Sequence, residues 1–151
     1  MKANILEIFS SIQGEGKYTG VSQVFVRFFE CNMHCVWCDT PHSIGDTTRH
    51  YKEYDLESLV KEIDALWTSA HHSISLTGGE PLLQADVIAQ LIPHLKRAGR
   101  KVYLETNGIL PEALQQVISG IDVVAMDIKL PSSTGCQSYW PEHEAFLKIA
   151  L

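Results

Sequence analysis

Short runs rich in Ile, Val and Phe alternate along this chain with stretches of helical periodicity, and the later strand-like runs end in polar or Gly-rich clusters. Residues 5–9 and 24–29 read as strands. Residues 55–67 read as a helix, with Asp55 placed to cap it and Leu56, Leu59, Val60, Ile63, Leu66 and Trp67 at helical spacing. A strand over 73–77 runs into Gly78-Gly79-Glu80-Pro81, and a helix over 85–98 follows, in which Pro93 predicts a kink. Residues 101–105 read as a strand ending at Thr106-Asn107-Gly108, and 111–118 as a helix with Pro in its first turn. Residues 122–126 form a further strand ending at Asp127-Ile128-Lys129, and 141–151 begin one more helix. This alternation predicts an α/β fold with a mostly parallel sheet. The polar clusters then gather at the C-terminal ends of strands, where barrels and open α/β sheets carry their sites. Four or five βα units are too few for a closed barrel of about 250 residues. The expected architecture is a partial barrel, one domain over 1–151, truncated at its C-terminus because the apolar segment 146–151 shows no helix stop signal.

Twelve Lys and Arg against eighteen Asp and Glu give a net charge of −6, which argues against a nucleic-acid partner, since that needs a basic footprint. No apolar run approaches the ~20 residues of a membrane span, and the first residues lack the apolar region of a signal peptide. The expected place is the cytoplasm, with no membrane partner. Four cysteines in a reducing compartment do not read as a disulfide framework. Three of them, Cys31, Cys35 and Cys38, fall in one short stretch, which points to a metal or cluster.

Their spacing is C-x3-C-x2-C, within Glu30-Cys31-Asn32-Met33-His34-Cys35-Val36-Trp37-Cys38-Asp39. A structural zinc ion would want a fourth ligand. Cys136 is far off in sequence, and His34 would have to bend back between its neighbours. A 4Fe–4S cluster on three thiolates leaves one iron open to a ligand, whereas an electron carrier normally has four. Cys136 itself reads as an uninvolved small side chain.

The cysteine loop and Thr77-Gly78-Gly79-Glu80-Pro81 resemble the radical S-adenosylmethionine (SAM) pattern. That resemblance implies a cluster whose open iron chelates SAM, and cleavage of SAM to a 5′-deoxyadenosyl radical. Two further stretches narrow it: Glu7-Ile8-Phe9-Ser10-Ser11-Ile12-Gln13-Gly14-Glu15-Gly16, and Phe25-Val26-Arg27-Phe28 leading to Cys38-Asp39-Thr40-Pro41. With Glu105-Thr106-Asn107-Gly108 and Asp127-Ile128-Lys129 they resemble the 7-carboxy-7-deazaguanine synthases of the queuosine pathway. The resemblance implies a ring-contracting carbon–nitrogen lyase that acts on 6-carboxy-5,6,7,8-tetrahydropterin with loss of ammonia. It also implies a 4Fe–4S cluster, SAM, Mg2+, an electron donor such as flavodoxin or ferredoxin, and a homodimer.

Carried over by position, the resemblance puts Ile12, Gln13, Gly14, Arg27, Thr77 and Glu105 at the pterin, Arg27 on its carboxylate. It puts Trp37, Cys38, Asp39, Gly79, Asp127, Ile128 and Lys129 at SAM, and Thr40 on Mg2+. Several positions have a plainer reading. Residues 13–16 suit a flexible turn, Arg27 an exposed strand face, Thr40-Pro41 a turn start, Glu105 a surface carboxylate, and His71 and His72 a loop. The chain departs from the family at Glu30, where Gly commonly precedes the first cysteine. A carboxylate there would lower the potential of a nearby cluster. The rivals are another radical SAM enzyme, such as a glycyl-radical activase, and a non-catalytic zinc or iron–sulfur module.

Overall fold

A computed structural model describes residues 2–44 and 51–151. The strands are β1 (Ala3–Ile12), β2 (Ser22–Phe28), β3 (Lys52–Tyr54), β4 (Ser73–Gly78), β5 (Val102–Thr106) and β6 (Val123–Met126). They form one sheet in the order β3-β1-β2-β4-β5-β6. The helices are α1 (Leu56–Leu66), α2 (Ala85–Arg97), α3 (Pro111–Val117), a single turn α4 (Pro131–Thr134) and α5 (Trp140–Ala150). Asp55 caps α1 as its position suggests, accepting from the Ser58 N–H at 2.8 Å. Pro93 lies inside α2 without ending it. No helix among the described residues is long and apolar enough to cross a membrane.

The α/β architecture matches the expected alternation, with one difference in the sheet. Strands β2, β4, β5 and β6 are parallel, but β1 pairs antiparallel with both its neighbours, β2 and β3. The link from Ile12 to Ser22 is shorter than the crossover of about a dozen residues or more that a parallel pair needs, so β1 and β2 pair as a hairpin. Strand β3 is short and polar, Lys-Glu-Tyr, and carries little periodic signal of its own.

Period-two alternation explains where the site forms. Val24, Val26, Phe28, Ile74, Leu76, Val102 and Leu104 turn to the helices and join Leu59, Ile63, Ile88, Leu91, Leu95, Leu114 and Phe146 in the core. The intervening Phe25, Arg27, Thr77 and Glu105 turn the other way and line a cavity. In β1, Ala3 and Ile5 belong to the core, yet Phe9 and Ser11, and Gln13 just beyond it, line the cavity. The register irregularity between Ile5 and Glu7 switches the alternation, as an extra residue in one strand does.

Candidate active site

The cavity holds about 380 Å³. Cys31, Cys35, Cys38, Asp39, Thr40, Ile12, Gln13, Gly14, Arg27, Thr77, Gly79, Glu105, Asp127 and Lys129 all line it. Trp37 and Ile128 do not: they are 51% and 50% exposed. Trp37 is tied to the site indirectly, its ring 4.9 Å from the Lys129 ammonium, which pairs with Asp127 at 2.8 Å.

The cysteine loop follows β2 and is fixed from several sides. The Cys38 N–H donates to the Cys35 carbonyl at 3.1 Å, and Asn107 Nδ2 donates to Asn32 Oδ1 at 2.8 Å. Met33 is buried between these anchors, while His34 points to solvent. All three loop cysteines are unpaired thiols at intermediate exposure. Burial pushes the Cys31 and Cys35 thiols up, and the Lys129 ammonium partly offsets this at Cys35. Loading a metal here therefore displaces thiol protons. Among the described residues no three His, Cys, Asp or Glu side chains are drawn together tightly enough to hold a single ion. The three thiols line the same cavity, and a multi-iron cluster would take each of them on a separate iron. Thr40 Oγ1 lies 3.8 Å from Cys38 Sγ, and the Thr40 carbonyl accepts from Ser43, so Thr40 both lines the cavity and begins a turn.

The glycine pair has a reason in the chain itself. A Cβ at Gly78, whose φ is +137°, would stand 2.3 Å from the Phe28 carbonyl oxygen, and one at Gly79 would stand 2.0 Å from that of Glu30. Only glycines let the end of β4 lie against the main chain entering the cysteine loop. Glu30 has φ +79°, the left-handed region that favours glycine, so the departure from the family pattern falls on a strained residue. Strain of that kind costs about 1–3 kcal/mol. The Glu30 carbonyl accepts from the Glu80 N–H at 2.8 Å and so joins the two loops.

The Glu80 carboxyl is fully buried and accepts from the N–H groups of Leu82 and Asn107 and from the Thr106 hydroxyl, at 2.8–3.0 Å. It ties the Gly-Gly-Glu-Pro loop to the Thr-Asn-Gly loop. Burial outweighs these donors and raises its pKa to about 7. The folded chain then holds this proton more tightly than the unfolded chain. Its contribution is fully present below about pH 4.5 and is lost as the pH rises through about 7, a change on the order of 3 kcal/mol. In cluster-free protein, the parent should lose stability relative to Glu80→Gln across that window, read as thermal midpoints. Parallel pH profiles would remove Glu80 as the cause.

A polar network floors the cavity. Glu105 accepts from Thr77 Oγ1 at 2.5 Å, Gln13 Nε2 at 2.6 Å and Ser75 Oγ at 3.2 Å. Gln13 also donates to Gln23, which donates to Ser73. Gln13 thus lines the cavity with its amide engaged by the protein, and Glu105 is a held carboxylate rather than a surface one.

Arg27 points inward as well. Its Nε donates to Glu7 Oε1 at 2.7 Å, and no hydrogen-bond partner of its two Nη groups is found among the described residues. Glu7 and Arg27 are cross-strand partners in the β1–β2 register. Beside them Phe9 and Phe25 stack, with ring centroids 5.1 Å apart and planes 8° apart, and the guanidinium carbon sits 5.7 Å from the Phe9 ring centre. A flat aromatic wall and a guanidinium edge suit a planar heterocycle bearing a carboxylate.

Sequence reasoning gave no part to Glu7, Phe9, Phe25, Gln23 or His143. For the first four the signal was alternation combined with register. His143 is buried, its Nδ1 3.1 Å from the Gly108 carbonyl oxygen and its Nε2 accepting from the Lys129 N–H at 3.0 Å. It bridges two strand-end loops from α5, and no local pattern announces that. His71 and His72 lie in a loop, as expected.

The pattern described as the radical SAM superfamily matches residues 26–145. The 7-carboxy-7-deazaguanine synthase of Geobacter sulfurreducens is 43% identical over 164 residues, covering 98% of this chain and 65% of that protein. The synthase of the same name from Methanothermobacter thermautotrophicus is 43% identical over 130 residues, covering 86% of this chain and 51% of its own length. The chain thus spans about half to two thirds of the length of these relatives. In fold it is similar to QueE from Escherichia coli, with a TM-score of 0.72 at 24% identity, over 96% of this chain and 67% of that one. The superfamily match runs from the strand that feeds the cysteine loop into the last helix, through the strand-end loops that wall the cavity, and by that match the chain belongs to the radical SAM superfamily.

Proposed function

We propose that this chain carries the cavity of a cytoplasmic 7-carboxy-7-deazaguanine synthase, a carbon–nitrogen lyase of queuosine biosynthesis. It would contract 6-carboxy-5,6,7,8-tetrahydropterin to 7-carboxy-7-deazaguanine with loss of ammonia. The observation that carries this reading is one cavity shared by three cysteine thiols, an inward guanidinium and a carboxylate held by three donors. Relatives of that name at 43% identity support it.

Cys31, Cys35 and Cys38 would hold the 4Fe–4S cluster. Cys38, Asp39, Gly79, Asp127 and Lys129 would face SAM, with Trp37 and Ile128 at its border. When bound, the cluster and SAM supply the adenosyl radical that removes a hydrogen from the substrate. The chain's own groups orient the pterin and keep water away. Arg27 would grip the pterin carboxylate through its Nη edge while Glu7 fixes the other side of the guanidinium. Phe9 and Phe25 would pack against the ring. Glu105 would accept from the ring's N–H edge, aimed by Thr77, Ser75 and Gln13. Ile12 and Gly14 would border the ring at the mouth. The full enzyme would be a homodimer, reduced by a flavodoxin or ferredoxin.

Thr40 would ligate Mg2+, a hard cation that keeps few protein ligands. Thr40→Ala should weaken the response of turnover to Mg2+ and leave iron content unchanged. Equal Mg2+ dependence in variant and parent would take Thr40 out of the metal site. The reading as a whole is tested by anaerobic incubation of the reconstituted protein with SAM, a reductant and the carboxytetrahydropterin. The expected result is carboxydeazaguanine by mass spectrometry, dependent on SAM. SAM cleavage without that product, or a glycyl radical formed on a partner protein, would contradict it.

A further inference from the structure

His143 lies on α5, outside every sequence motif and outside the cavity lining, yet both of its ring nitrogens engage the loops that frame the site. The side chain is buried. The Lys129 N–H donates to its Nε2 at 3.0 Å, so that nitrogen carries no proton. The neutral ring then holds its proton on Nδ1, which donates to the Gly108 carbonyl oxygen at 3.1 Å. Gly108 leaves room for this contact: its φ is +69°, and a Cβ there would stand 3.2 Å from Nδ1 and 2.4 Å from Met126 Cγ. The two loops that the ring joins have different neighbours. On one side, Asn107 donates through its side chain to Asn32 of the cysteine loop and through its N–H to Glu80. On the other, Lys129 lines the cavity, pairs with Asp127 and lies over the Trp37 ring. The pairing of β5 with β6 ends at Thr106 and Met126, and the Asp127 N–H still donates to the Thr106 carbonyl at 3.0 Å. Two residues further on, the imidazole takes over from the backbone as the link between the loops.

We propose that His143 is a positioning residue for SAM. Its neutral imidazole fixes the main chain of residues 127–129 against the Thr106-Asn107-Gly108 loop, and so holds Asp127 and Lys129 where SAM meets them. The inference rests on the reading above that those two residues face SAM. Without the imidazole, the Lys129 N–H and the Gly108 carbonyl lose their partner and the loop is free to shift. Such coupling is reciprocal: a latch that favours SAM binding is favoured by bound SAM to the same degree.

Two variants of the anaerobically reconstituted protein separate bonding from packing. His143→Phe keeps an aromatic ring beside Trp140, whose ring centre lies 6.3 Å away, but removes both polar atoms. His143→Gln gives up the ring and brings an amide with a donor and an acceptor. Calorimetric titration with SAM should show affinity about tenfold weaker in His143→Phe, roughly the effect of one lost hydrogen bond, and close to the parent in His143→Gln. Iron content should match the parent in both. A third measurement needs no variant: hydrogen exchange of the parent, read by mass spectrometry, should slow at the Lys129 amide when SAM is added. Parental SAM affinity in His143→Phe, an equal loss in both variants, or Lys129 exchange that SAM leaves unchanged would overturn the proposal. A cluster-loaded parent that binds no SAM would overturn the reading of the site and the proposal with it, a failure distinct from a SAM-binding parent matched by both variants.

Discussion

Replacing any one of Cys31, Cys35 or Cys38 with Ala is expected to abolish cluster retention and, with it, reductive cleavage of SAM. Each thiol lines the cavity. A cluster on three thiolates has one open iron already, so loss of any one thiolate leaves two, too few to retain it. The measurement is iron and sulfide content after anaerobic reconstitution, with the visible spectrum as a second readout. Cys136→Ala should leave iron content unchanged, because Cys136 does not line the cavity. Loss of iron with Cys136 as well would mean four ligands and no open iron.

Arg27→Lys is expected to weaken pterin binding about tenfold to a hundredfold, the loss of one charge-assisted hydrogen bond worth about 1.5–3 kcal/mol. Arg27 holds Glu7 with Nε and offers a second edge, whereas a lysine ammonium cannot keep the ion pair and present a planar fork together. SAM binding should change little, since Gly79, Asp39 and Asp127, proposed to face SAM, stand on other loops. Calorimetric titration of both ligands under anaerobic conditions decides it. Unchanged pterin affinity, or a loss shared equally by SAM, would make Arg27 a structural residue whose partner is Glu7 alone.

What the sequence made legible was what is local. The helical period of Leu59, Ile63 and Leu66, the cap at Asp55, and the strand ends expected at Thr77, Glu105 and Met126 are each a property of one element, and the structure ends those strands at Gly78, Thr106 and Met126. The cysteine loop is equally local. The antiparallel placement of β1 and β3 was not legible, because pairing direction depends on connection length and three polar residues carry no period. The bulge near Ile5 was hidden for a related reason: it reverses which side of β1 faces the core without changing its composition. The contacts that make the site specific all join distant segments. Gln13 meets Glu105, Glu7 meets Arg27, and His143 meets Gly108 and Lys129. A family resemblance pointed to Gln13, Arg27 and Glu105 by position. Only the packed sheet shows Gln13 spending its amide on Glu105 rather than leaving it open to a ligand.

The central claim is that three thiolates hold a cluster with one iron left for SAM. The most direct measurement is electron paramagnetic resonance of the anaerobically reconstituted, dithionite-reduced protein before and after addition of SAM. The account predicts the signal of a reduced 4Fe–4S cluster whose g-values and linewidth change when SAM is added. A zinc-loaded protein without that signal, or a reduced cluster whose spectrum SAM leaves unchanged, would contradict it.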